Sequence, residues 1–367
     1  MIDWQDLARP SLRGLARYDP GPSRDALRAL HGLAALDPLN WNEDLFGPPA
    51  YVLDAAVASV TEAAFYPERV FADFRDAVAT WLDVPPGCVI PAHGAQALIS
   101  SIASVFVGEG TPVVVPRLTY GLYAHVSAAA GGTVTHVEPD GLALDLPAIA
   151  AAARRVDARV VWICDPNNPT GTLIAPERWV AFLDDLPART IVVADEAYID
   201  FAAPTERAFR ERDVLAGRPV IVVRSFSKLF GLAGLRLGYA IADPEVARLL
   251  DVVQEPFNVN RVALAAGAAA ISRPEFIAAR RAEVAASRDL LAGTLARDGI
   301  RVLPSHANFS LVELGVDDRP VCEALLGRGV LIRSGTGFGL PGFARITTAP
   351  ATTMRRAANV LAEVLAT

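Results

Sequence analysis

Lysine is almost missing from this chain: of its 34 basic residues only Lys228 is a lysine, and the rest are arginine. Arginine stays protonated at any reachable pH, whereas a lysine amine can lose its proton and attack a carbonyl. The one lysine retained is therefore a candidate for chemistry that arginine cannot perform. Cysteine is scarce as well. Cys88, Cys164 and Cys322 are far apart, odd in number and without a CxxC pair, which excludes a disulfide framework and fits a reducing compartment. Positive charge is not in excess: the net charge of −7 and a pI near 5.4 argue against nucleic acid as a partner. No uninterrupted apolar run is long enough to span a bilayer. The longest charge-free stretch, near residue 100, is broken by Pro85, Pro86, Gly87, Pro91 and Gly94. The start, Met1 to Asp6, is acidic and lacks a signal-peptide core. The expectation is a cytoplasmic protein with no membrane segment, no nucleic-acid partner and no metal site.

What is present is a large apolar fraction, 52% hydrophobic against 20% charged over 367 residues. That is enough for one large domain and a smaller one. Short β-branched runs recur at Val113–Val115, Val160–Cys164, Ile191–Ala194 and Val220–Val223, and such near-continuous hydrophobicity suits parallel strands buried on both faces. Helical patterns lie between them, at Pro147–Arg155 and Pro176–Leu186. Alternation of strand and helix implies an α/β sheet with right-handed crossovers. After about residue 257 the pattern changes to a long Ala-rich helical stretch, Arg261–Ala296. Strand-like segments follow at Arg301–Leu303, Asn308–Val312, Val330–Arg333 and Phe343–Thr347, and the chain closes on a helix. The reading is a large domain over 46–257, with 1–45 and 258–367 forming a smaller α/β domain and an N-terminal arm.

In such sheets ligands gather beyond the carboxyl ends of the strands. Those ends read Asp165-Pro166-Asn167-Asn168-Pro169, Asp195-Glu196-Ala197-Tyr198 and Ser225-Phe226-Ser227-Lys228. After Lys228 come small residues and Arg236, up to Gly238. Two hydroxyls and a guanidinium make an anion site, and an amine beside it is what an aldehyde cofactor bearing a phosphate requires. Asp195 closes a buried strand, where a carboxylate is costly unless paired; a pyridinium N–H is one such partner. His93-Gly94-Ala95-Gln96 opens a helix whose free amides can bind an anion. Taken alone, that helix start, the Asn-Pro-Gly turn and the isolated tyrosines are more readily read as ordinary structure.

The stretch Ser225–Gly238 closely resembles the Schiff-base lysine motif of fold-type I pyridoxal-phosphate (PLP) aminotransferases, with lysine, serines, glycines and arginine in register. The resemblance implies that family's fold, a mostly parallel sheet sandwiched by helices plus a smaller α/β domain. It also implies roles. Lys228 would hold PLP and carry a proton between the substrate α-carbon and the cofactor, and Asp195 would pair with the ring nitrogen. Tyr198 and Asn168 (of an NPTG-like turn) would contact the ring 3′-oxygen. The amides of Ala95 and Gln96, with Ser225, Ser227 and Arg236, would hold the phosphate. Tyr120 would stack on the ring. Tyr66, in a YP motif, would cross from a second subunit to the phosphate, which makes the enzyme a homodimer with a shared active site. Arg345 would grip the substrate carboxylate.

Both ends of the chain narrow the resemblance. Arg9–Gly21 is similar to the N-terminal segment of histidinol-phosphate aminotransferases, where Tyr18 would help hold the substrate phosphate. Val330–Arg333 matches the segment that supplies Arg333 to that phosphate. The family's NENPYGP reads Asn42-Glu43-Asp44-Leu45-Phe46-Gly47-Pro48 here, a departure at the substrate entrance. The implied reaction is transamination of histidinol phosphate with 2-oxoglutarate. Aromatic amino acid aminotransferases and threonine-phosphate decarboxylases share the PLP residues and stand as alternatives. A PLP-sensing regulator would need a DNA-binding domain, for which the roughly 40 residues before the large domain leave no room. A scaffold protein would not need these side chains together.

Overall fold

The computed structural model describes residues 2–19 and 21–366; Met1 of the acidic start, Pro20 of the N-terminal segment and Thr367 lie outside the described residues. Seven strands form the main sheet: β1 (Val89–Ala92), β2 (Pro112–Pro116), β3 (Thr133–Val137), β4 (Val160–Cys164), β5 (Ile191–Asp195), β6 (Val220–Ser225) and β7 (Gly238–Ile241). Their order is β1-β7-β6-β5-β4-β2-β3, with β7 antiparallel to its neighbours and the rest parallel. This is the mostly parallel α/β sheet that the sequence implied. Side-chain alternation explains the unbroken apolar runs. Along β4, Val161 and Ile163 enter one core while Val160, Trp162 and Cys164 enter the other, so both faces are covered by helices.

Four further strands, β8 (Arg301–Val302), β9 (Phe309–Glu313), β10 (Arg333–Ser334) and β11 (Phe343–Thr347), make an antiparallel sheet in the order β10-β11-β9-β8. It has its own core, which includes Leu291, Leu325, Ile346 and Leu361. Two details differ from the sequence reading. The single Ala-rich helix expected over Arg261–Ala296 is two helices, Arg261–Ile271 and Pro274–Leu295, bent by 84°. Pro274 cannot continue a helix from behind but suits a first turn. The strand expected over Val330–Arg333 is also divided. Val330–Leu331 pairs in parallel with Asp37–Pro38, whereas β10 begins at Arg333 and joins the other sheet. Among the described residues no single helix is long and apolar enough to cross a membrane.

The main sheet presents β4, β5 and β6 side by side at their carboxyl ends, next to the start of β7. Beneath that edge lies a buried ion network. Arg210 binds Asp165 at 2.5 Å and Glu196 at 2.7 Å, and Arg224 binds Glu196 at 2.8 Å and Glu211 at 3.1 Å. These charges are tolerable only because each carboxylate is paired, and the pairing ties the ends of β4, β5 and β6 together.

Candidate active site

At the end of β5, neighbouring carboxylates meet opposite surroundings. Glu196 faces the ion network, where Arg224 and Arg210 outweigh burial and hold it below the usual range. Asp195 faces a cavity of about 480 Å³. Burial pushes its carboxyl up, against the Tyr123 hydroxyl, which donates to Oδ2 at 2.6 Å, and the Ala197 amide, which donates to Oδ1 at 3.0 Å. Tyr123 is fully buried and stacked on Trp162, with centroids 5.2 Å apart and planes 8° apart.

Lys228 enters the same cavity from the turn after β6. Its Nζ donates to the carbonyls of Trp41 at 3.1 Å and Asn42 at 3.0 Å and lies 5.6 Å from the Tyr198 ring centroid. Carbonyls stabilise an ammonium only as dipoles. Burial, with Arg345 and Arg236 nearby, pushes the amine down to about 8, while Glu43 and Asp195 oppose the shift. The sole lysine is thus an amine that gives up its proton readily. Tyr198 receives the Asn42 amide on its hydroxyl at 3.0 Å.

One end of the cavity is built for an anion. The helix Ala95–Phe106 has no side-chain cap, and Ala95 and Gln96, which open it, line the cavity. Gly94 leads into it at φ +81°, and a Cβ there would come within 2.7 Å of Arg236 Nη2. A Cβ on Gly238 would come within 2.6 Å of the Ala95 amide. Both glycines therefore permit the close approach of helix start, guanidinium and β7. Arg236 is aimed by the Ala233 carbonyl at 3.0 Å, and Gln96 links it to Tyr120: Oε1 accepts from Arg236 at 3.4 Å and Nε2 donates to the Tyr120 hydroxyl at 2.8 Å. Ser225 and Ser227 line the same end.

The cavity is also lined by Arg345, Arg333, Tyr18 and Phe338. Arg345 is buried; it donates to Asn168 Oδ1 and to the Asn40 carbonyl, each at 2.5 Å, and its Nε has no hydrogen-bond partner. Burial pushes its guanidinium down to about 10, with Arg333 adding to that. Arg333 and Arg345 are directly paired across β10 and β11, so their side chains leave the same face. Like charges opposite each other in a sheet are destabilising, and a shared anion removes that repulsion. Tyr18 lines the cavity edge-on to Tyr120, with centroids 6.0 Å apart.

Nearly all the residues singled out in the sequence thus line one cavity: Lys228, Asp195, Tyr198, Asn168, Ala95, Gln96, Tyr120, Ser225, Ser227, Arg236, Arg345, Arg333 and Tyr18. Tyr66 is not brought there by its own chain. It is 77% exposed and stacks on Phe257 at 4.7 Å. The structure adds Tyr123, Trp41 and Phe338, which sequence reasoning missed. Tyr123 had one signal, its position three residues after Tyr120 at the start of the helix Leu122–Ala129. The entrance departure also has a physical account. Asp44 pairs with Arg280, which further donates to the Gly47 carbonyl at 2.9 Å and lies 5.1 Å from the Phe46 ring centroid. The donor set, with its loosened amine, buried carboxylate, uncapped helix start and Arg345 Nε without a partner, fits a phosphate-bearing aldehyde with a ring N–H together with an anionic substrate.

Comparison with known proteins agrees with this geometry. The family model described as aminotransferase class I and II matches residues 38–364. A histidinol-phosphate aminotransferase of Symbiobacterium thermophilum is 37% identical over 97% of this chain and 98% of its own length. Histidinol-phosphate aminotransferase 1 of Thiobacillus denitrificans is 36% identical over 98% and 94%. Among solved structures, histidinol-phosphate aminotransferase from Sinorhizobium meliloti in complex with pyridoxal-5′-phosphate superposes with a TM-score of 0.90 at 30% identity, covering 97% of both chains. Aspartate aminotransferase of Thermus thermophilus with maleate shares the fold, with a TM-score of 0.84 at 23% identity. The chain belongs to the class I and II aminotransferase family.

Proposed function

We propose that this chain is a PLP-dependent aminotransferase that takes its amino group from histidinol phosphate and passes it to 2-oxoglutarate. The observation that carries the substrate reading is the cross-strand pair of Arg333 and Arg345. Histidinol phosphate bears a phosphate ester where an amino acid bears its carboxylate, and two guanidiniums on one face match a dianion better than a single carboxylate. The names of the relatives point the same way.

PLP, when bound, supplies an electron sink for the pair left as the substrate α-carbon loses its proton. The chain's own residues do the rest. The Ala95 and Gln96 amides, Ser225, Ser227 and Arg236 hold the phosphate, and Tyr120 covers the ring. Asp195, whose carboxylate the Tyr123 hydroxyl stabilises against burial, would pair with the ring nitrogen, and Asn168 and Tyr198 would bind the 3′-oxygen. Lys228 would anchor the cofactor, and its Nζ, as a free amine, would take the proton from the substrate α-carbon as general base. Arg345 and Arg333 would hold the substrate's anionic group and so present its α-carbon proton to Lys228.

A second copy of the chain is part of this reading. Leu53, Val57, Val60, Phe65 and Tyr66 leave a large apolar surface exposed, and a partner covering it would carry Tyr66 to the neighbouring phosphate end. The free thiols fit a cytoplasmic setting. The test is a donor comparison on the purified enzyme: histidinol phosphate against phenylalanine and tyrosine, with 2-oxoglutarate. Preference for the phosphorylated donor, lost in Arg333→Gln, supports the reading; indifference to the phosphate sinks it.

A further inference from the structure

Phe338 sits in the turn Thr336–Phe338 between β10 and β11 and lines the cavity. Its ring centroid is 5.6 Å from the Arg333 guanidinium carbon and 5.1 Å from that of Arg345. One aromatic ring thus attracts both cations and opposes their mutual repulsion. What holds the ring there is a carboxylate remote from the chemistry. Asp318 opens the helix Asp318–Gly327 and is 0% exposed. It accepts hydrogen bonds from the Ser334 hydroxyl, the Thr336 hydroxyl at 2.6 Å, the Thr336 amide at 3.0 Å and the Gly342 amide at 2.9 Å.

Four donors fill the acceptor capacity of one carboxylate. Burial raises the Asp318 carboxyl, but the hydroxyls of Ser334 and Thr336 and the two amides outweigh it and hold the group ionised far below the usual range. The donors' positions matter more than their number. Ser334 follows Arg333 on β10, Thr336 starts the turn that carries Phe338, and Gly342 immediately precedes β11, which carries Arg345. A single buried anion therefore fastens both arginine-bearing strands and the turn whose ring lies near both guanidiniums.

We propose that Asp318 and Phe338 are positioning residues for anion selectivity: Asp318 locks the turn, the turn holds Phe338 against Arg333 and Arg345, and the two guanidiniums are thereby held converging on one phosphate-sized dianion. This rests on the reading of that pair as the donor's phosphate site. A merely structural role would lower stability and weaken every anion alike. Loss of positioning would weaken the tetrahedral dianion, which needs both guanidiniums, more than a small carboxylate held by Arg345 alone.

The test is calorimetric titration of inorganic phosphate and of acetate into the PLP-loaded enzyme, for wild type, Asp318→Asn and Phe338→Leu, with PLP affinity and Tm measured in parallel. Asn presents an NH2 group to donors and loosens the turn. Leu leaves Asp318 intact, and it decides the question if the Asn variant does not fold. Expected is a loss in phosphate affinity of fivefold or more, with acetate and PLP affinity each moving less than twofold. Equal loss for both anions, or no loss for phosphate in Phe338→Leu, overturns the proposal. An enzyme that binds phosphate in this way yet ignores histidinol phosphate would refute the substrate reading and leave the positioning role standing.

Discussion

Replacing Tyr123 by Phe removes one oxygen from a fully buried site and keeps the ring that stacks on Trp162. The oxygen removed belongs to the 2.6 Å hydrogen bond to Asp195 Oδ2. A hydrogen bond to a charged group contributes about 1.5–3 kcal/mol. With a factor of ten for every ~1.4 kcal/mol, the loss corresponds to roughly 10- to 150-fold. It should appear in cofactor affinity, because Asp195 then pairs less well with a ring N–H. The direction with pH follows from the same bond. Tyr123 lowers the Asp195 carboxyl against the effect of burial, so without it the carboxyl takes up a proton at higher pH. The neutral acid cannot pair with a protonated ring nitrogen, so affinity present at high pH is lost as pH falls, and in the variant it is lost sooner. Titrating apoenzyme with PLP between pH 5 and 9, followed by absorbance, measures both effects. Affinity within twofold of wild type, with no movement of the acidic limb, would refute the role given to Tyr123.

Three further outcomes are expected. Because Lys228 is pushed down to about 8 from 10.5, the rate at which apoenzyme captures PLP should rise through pH about 8 and then level off, and stopped-flow mixing should find no continued climb toward 10.5. Gly94→Ala places a methyl group 2.7 Å from Arg236 Nη2 on a backbone at φ +81°. It should weaken PLP binding by roughly 5- to 150-fold, measured on apoenzyme, since strain at such positions costs about 1–3 kcal/mol. Asp44→Ala leaves Arg280 with only the half-exposed Glu283, at 3.0 Å, as counter-ion and should cost less in urea unfolding than the about 3–5 kcal/mol of a buried charge left wholly unpaired, part of which the double variant with Arg280→Met should recover.

The chemistry was legible in the sequence where it is local. Lys228 and Arg236 occupy one fourteen-residue stretch, Ser225–Gly238, and Asp195 ends an apolar run that only a buried strand explains. The parallel strands were legible for the same reason, because burial on both faces removes polar residues from them. What was hidden depends on contacts between distant segments. Nothing near Tyr123 says that its hydroxyl meets a carboxylate 72 positions away. Asp44 looked like a departure until Arg280, 236 positions on, supplied its partner. The pairing of Arg333 with Arg345 is set by the register of β10 on β11, which periodicity cannot reveal. Composition also concealed the break at Pro274, since alanine favours helix on both sides of it and only the proline marks the bend.

Lys228, the chain's one lysine, is the residue expected to hold the cofactor. Borohydride reduction of the PLP-loaded enzyme, followed by digestion and mass spectrometry, tests it directly because Lys228 is the only side-chain amine available. A pyridoxyl label on the peptide that contains Lys228, with neither label nor transamination in Lys228→Ala, is the predicted result. A label confined to the amino terminus, or a Lys228→Ala variant that transaminates at the wild-type rate, would contradict it.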